Sequence, residues 1–258
     1  MMLEISSLKF SYKTKDIFKQ IDFDLESNEI LSILGPNGVG KTTLLKCINR
    51  ILKPQGGSIL VENQDILEIK RIEIAKKLGY VPQRNETAKI TVFDAILLGR
   101  KPHIKWDVSN TDISLVNSAI KKLNMEELSL RYLDELSGGE MQKVGIARAI
   151  VQEPKILLLD EPTSSLDLRN QQEILYLLSE IVDSHGVSVI MTMHDINSAL
   201  RFSDKFIFLK GGKVNSVGSH DIITPKLIKE IYGVDVFIKE HDGYPFVIPV
   251  GRKNNGAY

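Results

Sequence analysis

The chain has 258 residues, enough for one large domain or two small ones, and 43% of them are hydrophobic, which supports a packed core and excludes disorder as the default. Lys plus Arg is 33 and Asp plus Glu is 33, so the basic surplus of a dedicated nucleic-acid binder is missing. The one cysteine, Cys47, excludes a disulfide framework or a cysteine zinc site.

The opening residues carry no basic segment followed by an apolar run, so no signal peptide is expected. No stretch approaches the ~18 consecutive apolar residues of a membrane span. Leu3, Ile5 and Leu8, then Ile21, Phe23 and Leu25, alternate with a period near two and predict half-buried strands. Ile30 to Leu34 is a short apolar strand that ends at Gly35. A helix is predicted from Lys41 to Leu52, stopped by Pro54 and Gly56-Gly57, with Cys47 as a buried core thiol. Ser58 to Glu62 and Leu78 to Val81 return as strands, the second closed by Pro82-Gln83.

From about Asn85 to Val151 the period changes. Val92, Ala95, Ile96 and Gly99, then Ile113, Val116, Ile120 and Leu123, recur at helical spacing and predict a helical insertion. Strand and helix then alternate: Ile156 to Asp160, Gln171 to Ile181, Val187 to Thr192, Ile196 to Phe202 and Phe206 to Lys210. That alternation predicts an α/β layer with a mainly parallel sheet. Gly211-Gly212 signals a hairpin turn, and the tail adds a helix near Pro225 to Tyr232 and two short strands around Val236 and Phe246.

Three segments carry chemistry. Gly35-Pro36-Asn37-Gly38-Val39-Gly40-Lys41-Thr42 follows a strand and opens a helix, the context of a phosphate loop. Its glycines let backbone amides approach phosphate, and the helix N-terminus favours negative charge. Lys41 is assigned to the β- and γ-phosphates, Thr42 to Mg²⁺, and Thr43 to a phosphate oxygen. Ile156 to Glu161 is a buried strand ending in two acids. Asp160 is assigned to Mg²⁺, through water, beside the γ-phosphate, and Glu161 to polarising an attacking water. Leu136-Ser137-Gly138-Gly139-Glu140 precedes a helix, so Ser137 and the glycine amides form a second anion site. In isolation it would be an ordinary helix cap.

These segments, in this order, resemble the ATP-binding subunit of ABC transporters over nearly the whole chain. The resemblance implies a phosphate-loop, RecA-like core with a mainly parallel sheet, an N-terminal antiparallel β subdomain and an inserted helical subdomain. Residues 1–84 and 152–258 would form the core and residues 85–151 the insertion. It implies that Ser137, Gly138, Gly139 and Glu140 cover the γ-phosphate held by a second copy, in a head-to-tail dimer closing on two ATP molecules. By the same resemblance Gln83 is the Q-loop glutamine, touching Mg²⁺ or water. Ser165 and Asp167 belong to the D-loop, which meets the opposite subunit. His194 is the switch histidine at the γ-phosphate, and Tyr12 stacks on adenine, with Phe10 as a competing aromatic. Met141 stands where many members have a basic residue, and Ser165 where alanine is common.

A partner must supply the channel: a polytopic permease docking near residues 84–106, served indirectly by a substrate-binding protein. That puts the chain at the cytoplasmic face of the membrane. Leu98-Gly99-Arg100-Lys101-Pro102-His103, the run Met193 to Asn197 and the tail Tyr232 to Val236 resemble importers of metal chelates such as iron siderophores, haem and cobalamin, with molybdate-type oxyanions as neighbours. The alternative class is a soluble ABC ATPase in iron–sulfur assembly or nucleic-acid or ribosome work. A single phosphate loop and the short stretch from Gln83 to Ser137 argue against the translation and repair types, and no nucleic acid is expected as a partner. The absence of an Asn-Lys-x-Asp motif argues against a GTPase. His185, His220 and His241 read as surface residues and Trp106 as a packing residue. Lys70-Arg71 and Lys76-Lys77 read as the solvated face of a helix.

Overall fold

The computed structural model describes residues 1–13, 15–83 and 88–251. The boundary expected at residues 84/85, and the first residues of the expected docking segment 84–106, lie outside the described residues. In chain order the strands and helices are β1 (Leu3–Tyr12), β2 (Lys15–Leu25), β3 (Ile30–Leu34), α1 (Lys41–Ile48), β4 (Gly56–Val61), β5 (Gln64–Asp65), α2 (Arg71–Lys77), β6 (Leu78–Val81), α3 (Val92–Leu97), α4 (Asn110–Lys122) and α5 (Gly138–Ile150). Then follow β7 (Ile156–Asp160), α6 (Leu168–His185), β8 (Ser188–Thr192), α7 (Ile196–Phe202), β9 (Lys205–Lys210), β10 (Lys213–Gly218), α8 (Pro225–Tyr232), β11 (Val236–His241) and β12 (Tyr244–Pro249).

One sheet runs in the order β5-β4-β1-β2-β10-β9-β3-β8-β7-β6, and β11 and β12 form a separate hairpin. The block β9-β3-β8-β7-β6 is parallel throughout. Every residue of β3, β7 and β8 is buried, which is why they read as apolar runs without alternation: both faces are covered. Side chains still alternate between the faces. Leu157, Leu159, Val189, Met191, Phe206 and Phe208 pack with Ile174, Leu178, Leu200 and Leu227 on one side. Ile156, Leu158, Ile190, Ile207 and Leu209 pack with Leu44, Leu45, Cys47 and Ile48 on the other. Burial pushes the Cys47 thiol up to about 12.

Strands β1, β2, β4 and β5 are antiparallel and extend the same sheet, joined to β10 through the pair Lys213 and Gln20. Helices α3, α4 and α5 gather a third cluster of their own around Val92, Ile96, Val116, Ile120, Val144 and Ala147. Ile113 stays outside it, on the exposed side of α4.

Three expectations need correction. Helix α1 stops at Ile48 rather than Leu52, because Arg50 turns the chain at φ 52°. Its guanidinium then donates to the carbonyls of Ile66 and Ile69, at 3.2 and 2.5 Å. Trp106 does not pack: it is 99% exposed. His220 is not a free surface residue. It is half-buried, its Nε2 meets the Leu200 carbonyl at 2.7 Å, and its ring lies edge-on to Phe206.

The parallel block sets up the site. The C-terminal ends of β3, β6, β7 and β8 open on one edge and deliver Gly35, Gln83, Asp160-Glu161 and Thr192 through His194 side by side.

Candidate functional site

Between β3 and α1 the chain wraps a tight loop that only glycine permits at two places. Gly35 has φ 146°, and a Cβ there would lie 2.4 Å from the Leu209 carbonyl oxygen. Gly40 has φ 110°, and a Cβ would meet the Phe18 ring at 2.7 Å. The loop closes around Lys41, which is 5% exposed and donates from Nζ to the Gly35 carbonyl at 2.9 Å. Burial lowers the Lys41 pKa, and the nearby Glu161 and Asp160 carboxylates oppose that shift.

At the end of β7, Asp160 is 3% exposed. Its Oδ1 accepts from the Thr42 hydroxyl at 3.0 Å and the Thr192 hydroxyl at 2.9 Å. Among the described residues no group of three or more His, Cys, Asp or Glu side chains gathers as a metal site. One buried carboxylate beside a hydroxyl nonetheless suits Mg²⁺, a hard ion that binds through one or two carboxylates plus substrate phosphates.

Glu161 adopts a left-handed backbone, φ 52°, which carries its side chain off the strand and out over the phosphate loop. Its N–H donates to the Thr192 hydroxyl at 2.8 Å. The carboxylate accepts from the Gln83 amide at 2.5 Å and pairs with His194 Nε2. Glu161 is 12% exposed and His194 43%, so one partner is sheltered and the other faces the cleft. Asn37, Gly38, Gly40, Lys41, Thr42, Thr43, Gln83, Glu161, His194 and Ile17 line a cleft of about 390 Å³. A second hollow of about 340 Å³ continues it over Pro36, Val39, Lys15 and Asp16.

Tyr12 ends β1, opposite Lys15 in the hairpin. It is 46% exposed and stands edge-on to Phe10, whereas Phe10 itself is buried. Neither ring lines the cleft.

The Ser137 element lies elsewhere. Ser137 caps α5, and Glu140 reaches back to it: the Ser137 hydroxyl and N–H donate to Glu140 Oε2 at 2.7 and 2.8 Å. Those bonds hold the Glu140 carboxyl below its usual range. Gly139 packs on Asn170, where a Cβ would sit 3.0 Å from the side chain, and Gly138 faces Leu166. Ser165, at φ 65°, and Asp167, which caps α6 by accepting from the Asn170 N–H at 2.8 Å, therefore neighbour the Ser137 turn. Ser137, Gly138, Ser165 and Asp167 are exposed, and none of them lines the cleft around Lys41. The structure thus brings Lys41, Thr42, Gln83, Asp160, Glu161 and His194 together and leaves the Ser137 and Asp167 elements on a separate surface. Thr192 was missed in the sequence. Its signal was a hydroxyl directly after the apolar run Val189 to Met191, at the end of a buried strand.

The family model for ABC transporters matches residues 18–164. An uncharacterized ABC transporter ATP-binding protein of Methanocaldococcus jannaschii is 54% identical, over 97% of this chain and 99% of that one. A petrobactin import ATP-binding protein of Bacillus anthracis is 32% identical, over 99% and 96%. Among solved structures, an inward-facing ABC transporter described as of metal-chelate type superposes with TM-score 0.85 at 31% identity, over 97% and 98% of the two chains. A dimeric ATP-binding cassette bound to ADP and phosphate superposes with TM-score 0.76 at 28% identity, over 84% and 98%. The strand-end cleft and these relatives lead to one conclusion: this chain belongs to the ABC transporter family, as one of its ATP-hydrolysing, ATP-binding subunits.

Proposed function

We propose that the chain powers an importer of metal-containing compounds, of the siderophore, haem or cobalamin type, by closing head-to-tail on a second copy around two ATP molecules. The observation that carries this reading is the split geometry. Lys41, Thr42, Gln83, Glu161 and His194 line one cleft, with the buried Asp160 bonded behind Thr42, while the Ser137 helix N-terminus is exposed and lines none of that cleft.

In this reading the amides from Gly38 to Thr43 receive the phosphates, and Lys41 turns from the Gly35 carbonyl to the β- and γ-phosphates. Thr42, Asp160 and Gln83 would hold Mg²⁺, which neutralises charge building on the phosphoryl oxygens when bound. Glu161 accepts the proton of the attacking water, so that oxygen reaches phosphorus as the bond to ADP breaks. Gln83 and His194 hold the Glu161 carboxylate in place, and His194 also meets the γ-phosphate. Tyr12, at the end of the hairpin, stacks on adenine. Ser137 to Glu140 of the second copy covers the γ-phosphate, with Ser165 and Asp167 at the seam.

No helix among the described residues is long and apolar enough to cross a membrane. Transport therefore needs a permease, docked in this reading along residues 84–106, with the chain peripheral at the cytoplasmic face and residues 85–151 moving as the helical subdomain. The petrobactin relative and the metal-chelate type structure support the cargo class.

The test is a pull-down with the Glu161→Gln variant as bait, from detergent-solubilised membranes of the native host in the presence of ATP. A polytopic membrane protein is the expected companion, and its binding protein can then be screened against iron siderophores, haem, cobalamin and oxyanions. Ribosomal, nucleic-acid or cluster-assembly proteins in its place would remove the importer reading.

A further inference from the structure

His194 sits in a short link with few restraints of its own. On one side the Met193 N–H is fixed to the Ile33 carbonyl at 3.2 Å. On the other Asp195 caps α7, accepting from the Asn197 and Ser198 N–H groups at 3.2 and 3.0 Å. Where His194 reaches is therefore set by where α7 begins.

Helix α7 is only seven residues long, too short to hold its place unaided. The C-terminal hairpin grips it directly at its N-terminal end, and through His220 at the other. At the N-terminal end the Asn197 side chain pairs with one residue of β12 in both directions. Its Oδ1 accepts from the Val247 N–H at 2.8 Å, and its Nδ2 donates to the Val247 carbonyl at 3.2 Å. The side-chain amide thus imitates a neighbouring strand, and Val247 itself is buried at 4% exposure against the core. At the C-terminal end the His220 ring meets the Leu200 carbonyl and stands edge-on to Tyr244 of β12, with centroids 6.4 Å apart. Only the first of these grips lies within one helical turn of His194.

We infer that Asn197 is a positioning residue for hydrolysis: it locks the start of α7 to the β11–β12 hairpin and so fixes the reach of His194 to Glu161. This rests on the proposed role of His194. The hairpin then belongs to the hydrolytic machinery at one remove, although none of its side chains lines the ATP cleft.

The test is a double-mutant cycle on the purified full chain: Asn197→Ala, His194→Ala and both together, with kcat, KM for ATP and Tm measured for each. Misplacing a group that contacts the reacting atoms lowers kcat by about tenfold to a hundredfold. Asn197→Ala is expected to show that loss with KM nearly unchanged, and to add nothing in the His194→Ala background. An Asn197→Ala loss that persists in full in the His194→Ala background, or one that appears in KM, overturns the inference while leaving the His194 assignment intact. Full kcat in His194→Ala alone overturns both. If Asn197→Ala does not fold, Asn197→Asp keeps the acceptor for the Val247 N–H and serves in its place. Its kcat must then fall without a matching fall in Tm.

Discussion

The Gln83 side-chain amide donates to the Glu161 carboxylate at 2.5 Å. The two residues follow neighbouring parallel strands, β6 and β7, whose register pairs Val81 with Leu159. Gln83 lies two residues past the end of β6, and Glu161 one residue past Asp160, the last residue of β7. The bond has a direction. Gln83 is a donor to Glu161, so it holds the carboxylate as an acceptor, as a base for water requires. His194 meets the other oxygen, and the carboxylate is held from both sides over the phosphate loop.

Ser137→Arg separates the two faces of the chain. The turn is exposed and remote from Lys41, so ATP affinity of the single chain should change little. Loss of the cap costs about 1 kcal/mol of helix stability. If the proposed dimer is right, hydrolysis should fall to background, because the guanidinium would fill the space proposed for a second copy's γ-phosphate. Nucleotide titration beside a phosphate-release assay checks this. Equal loss of binding and hydrolysis would contradict a site completed across a dimer.

Much of this site was readable from the chain because it is local. The phosphate loop, the paired acids and the Ser-Gly-Gly turn each fit in eight residues or fewer, and their strand or helix context is equally short-range. What was not readable depends on distant partners. The end of α1 is set where Arg50 turns and bonds to carbonyls of Ile66 and Ile69, sixteen and nineteen residues on. His220 looked like a surface residue because its partners, Leu200, Phe206 and Tyr244, are spread over three elements. Trp106 looked like a packing residue because it is large and apolar, yet here it faces solvent. Thr192 passed unnoticed because its role, bonding Asp160 and the Glu161 N–H, exists only once β7 and β8 lie side by side.

The helical insertion should carry an acid-sensitive joint. Asp112 accepts from the Ser109 hydroxyl and from Arg100 Nε at 2.6 and 2.8 Å, which hold its carboxyl down to about 2. Arg100 also donates to the Val151 carbonyl and pairs with Glu153, both at 2.6 Å. Because the folded pKa lies below the ordinary 3.8, this contribution is present above about pH 4 and is lost as pH falls toward 2. Asp112→Asn should flatten the acid limb of the stability curve and cost about 1.5–3 kcal/mol at neutral pH by weakening the charge-assisted bonds to Ser109 and Arg100, while Glu153 still pairs with the guanidinium. Urea melts from pH 7 to pH 2 check both. An unchanged acid limb would contradict the assignment.

Cys47 should be silent to alkylation in the native state. It is fully buried, and its pKa is raised to about 12, so almost no thiolate forms near neutral pH. Labelling with iodoacetamide at pH 8 should follow global unfolding. The same shift predicts stability falling from about pH 9 toward 12, as the unfolded thiol ionises and the folded one does not. Cys47→Ala should show a shallower alkaline decline, read from thermal melts across that range. Fast labelling without denaturant would mean that the α1 side of the core opens locally.

In the proposed dimer one chain holds two halves of two different sites, and the mass of Glu161→Gln in solution decides between that arrangement and a self-contained site. This variant keeps the phosphate loop but loses the proposed base, which should slow hydrolysis by about 10²–10⁴-fold and trap the ATP state. Light scattering with size exclusion, run with ATP and Mg²⁺, should give twice the mass of one chain, and ADP should return it to one. A single-chain mass in saturating ATP, with nucleotide bound, would contradict the account.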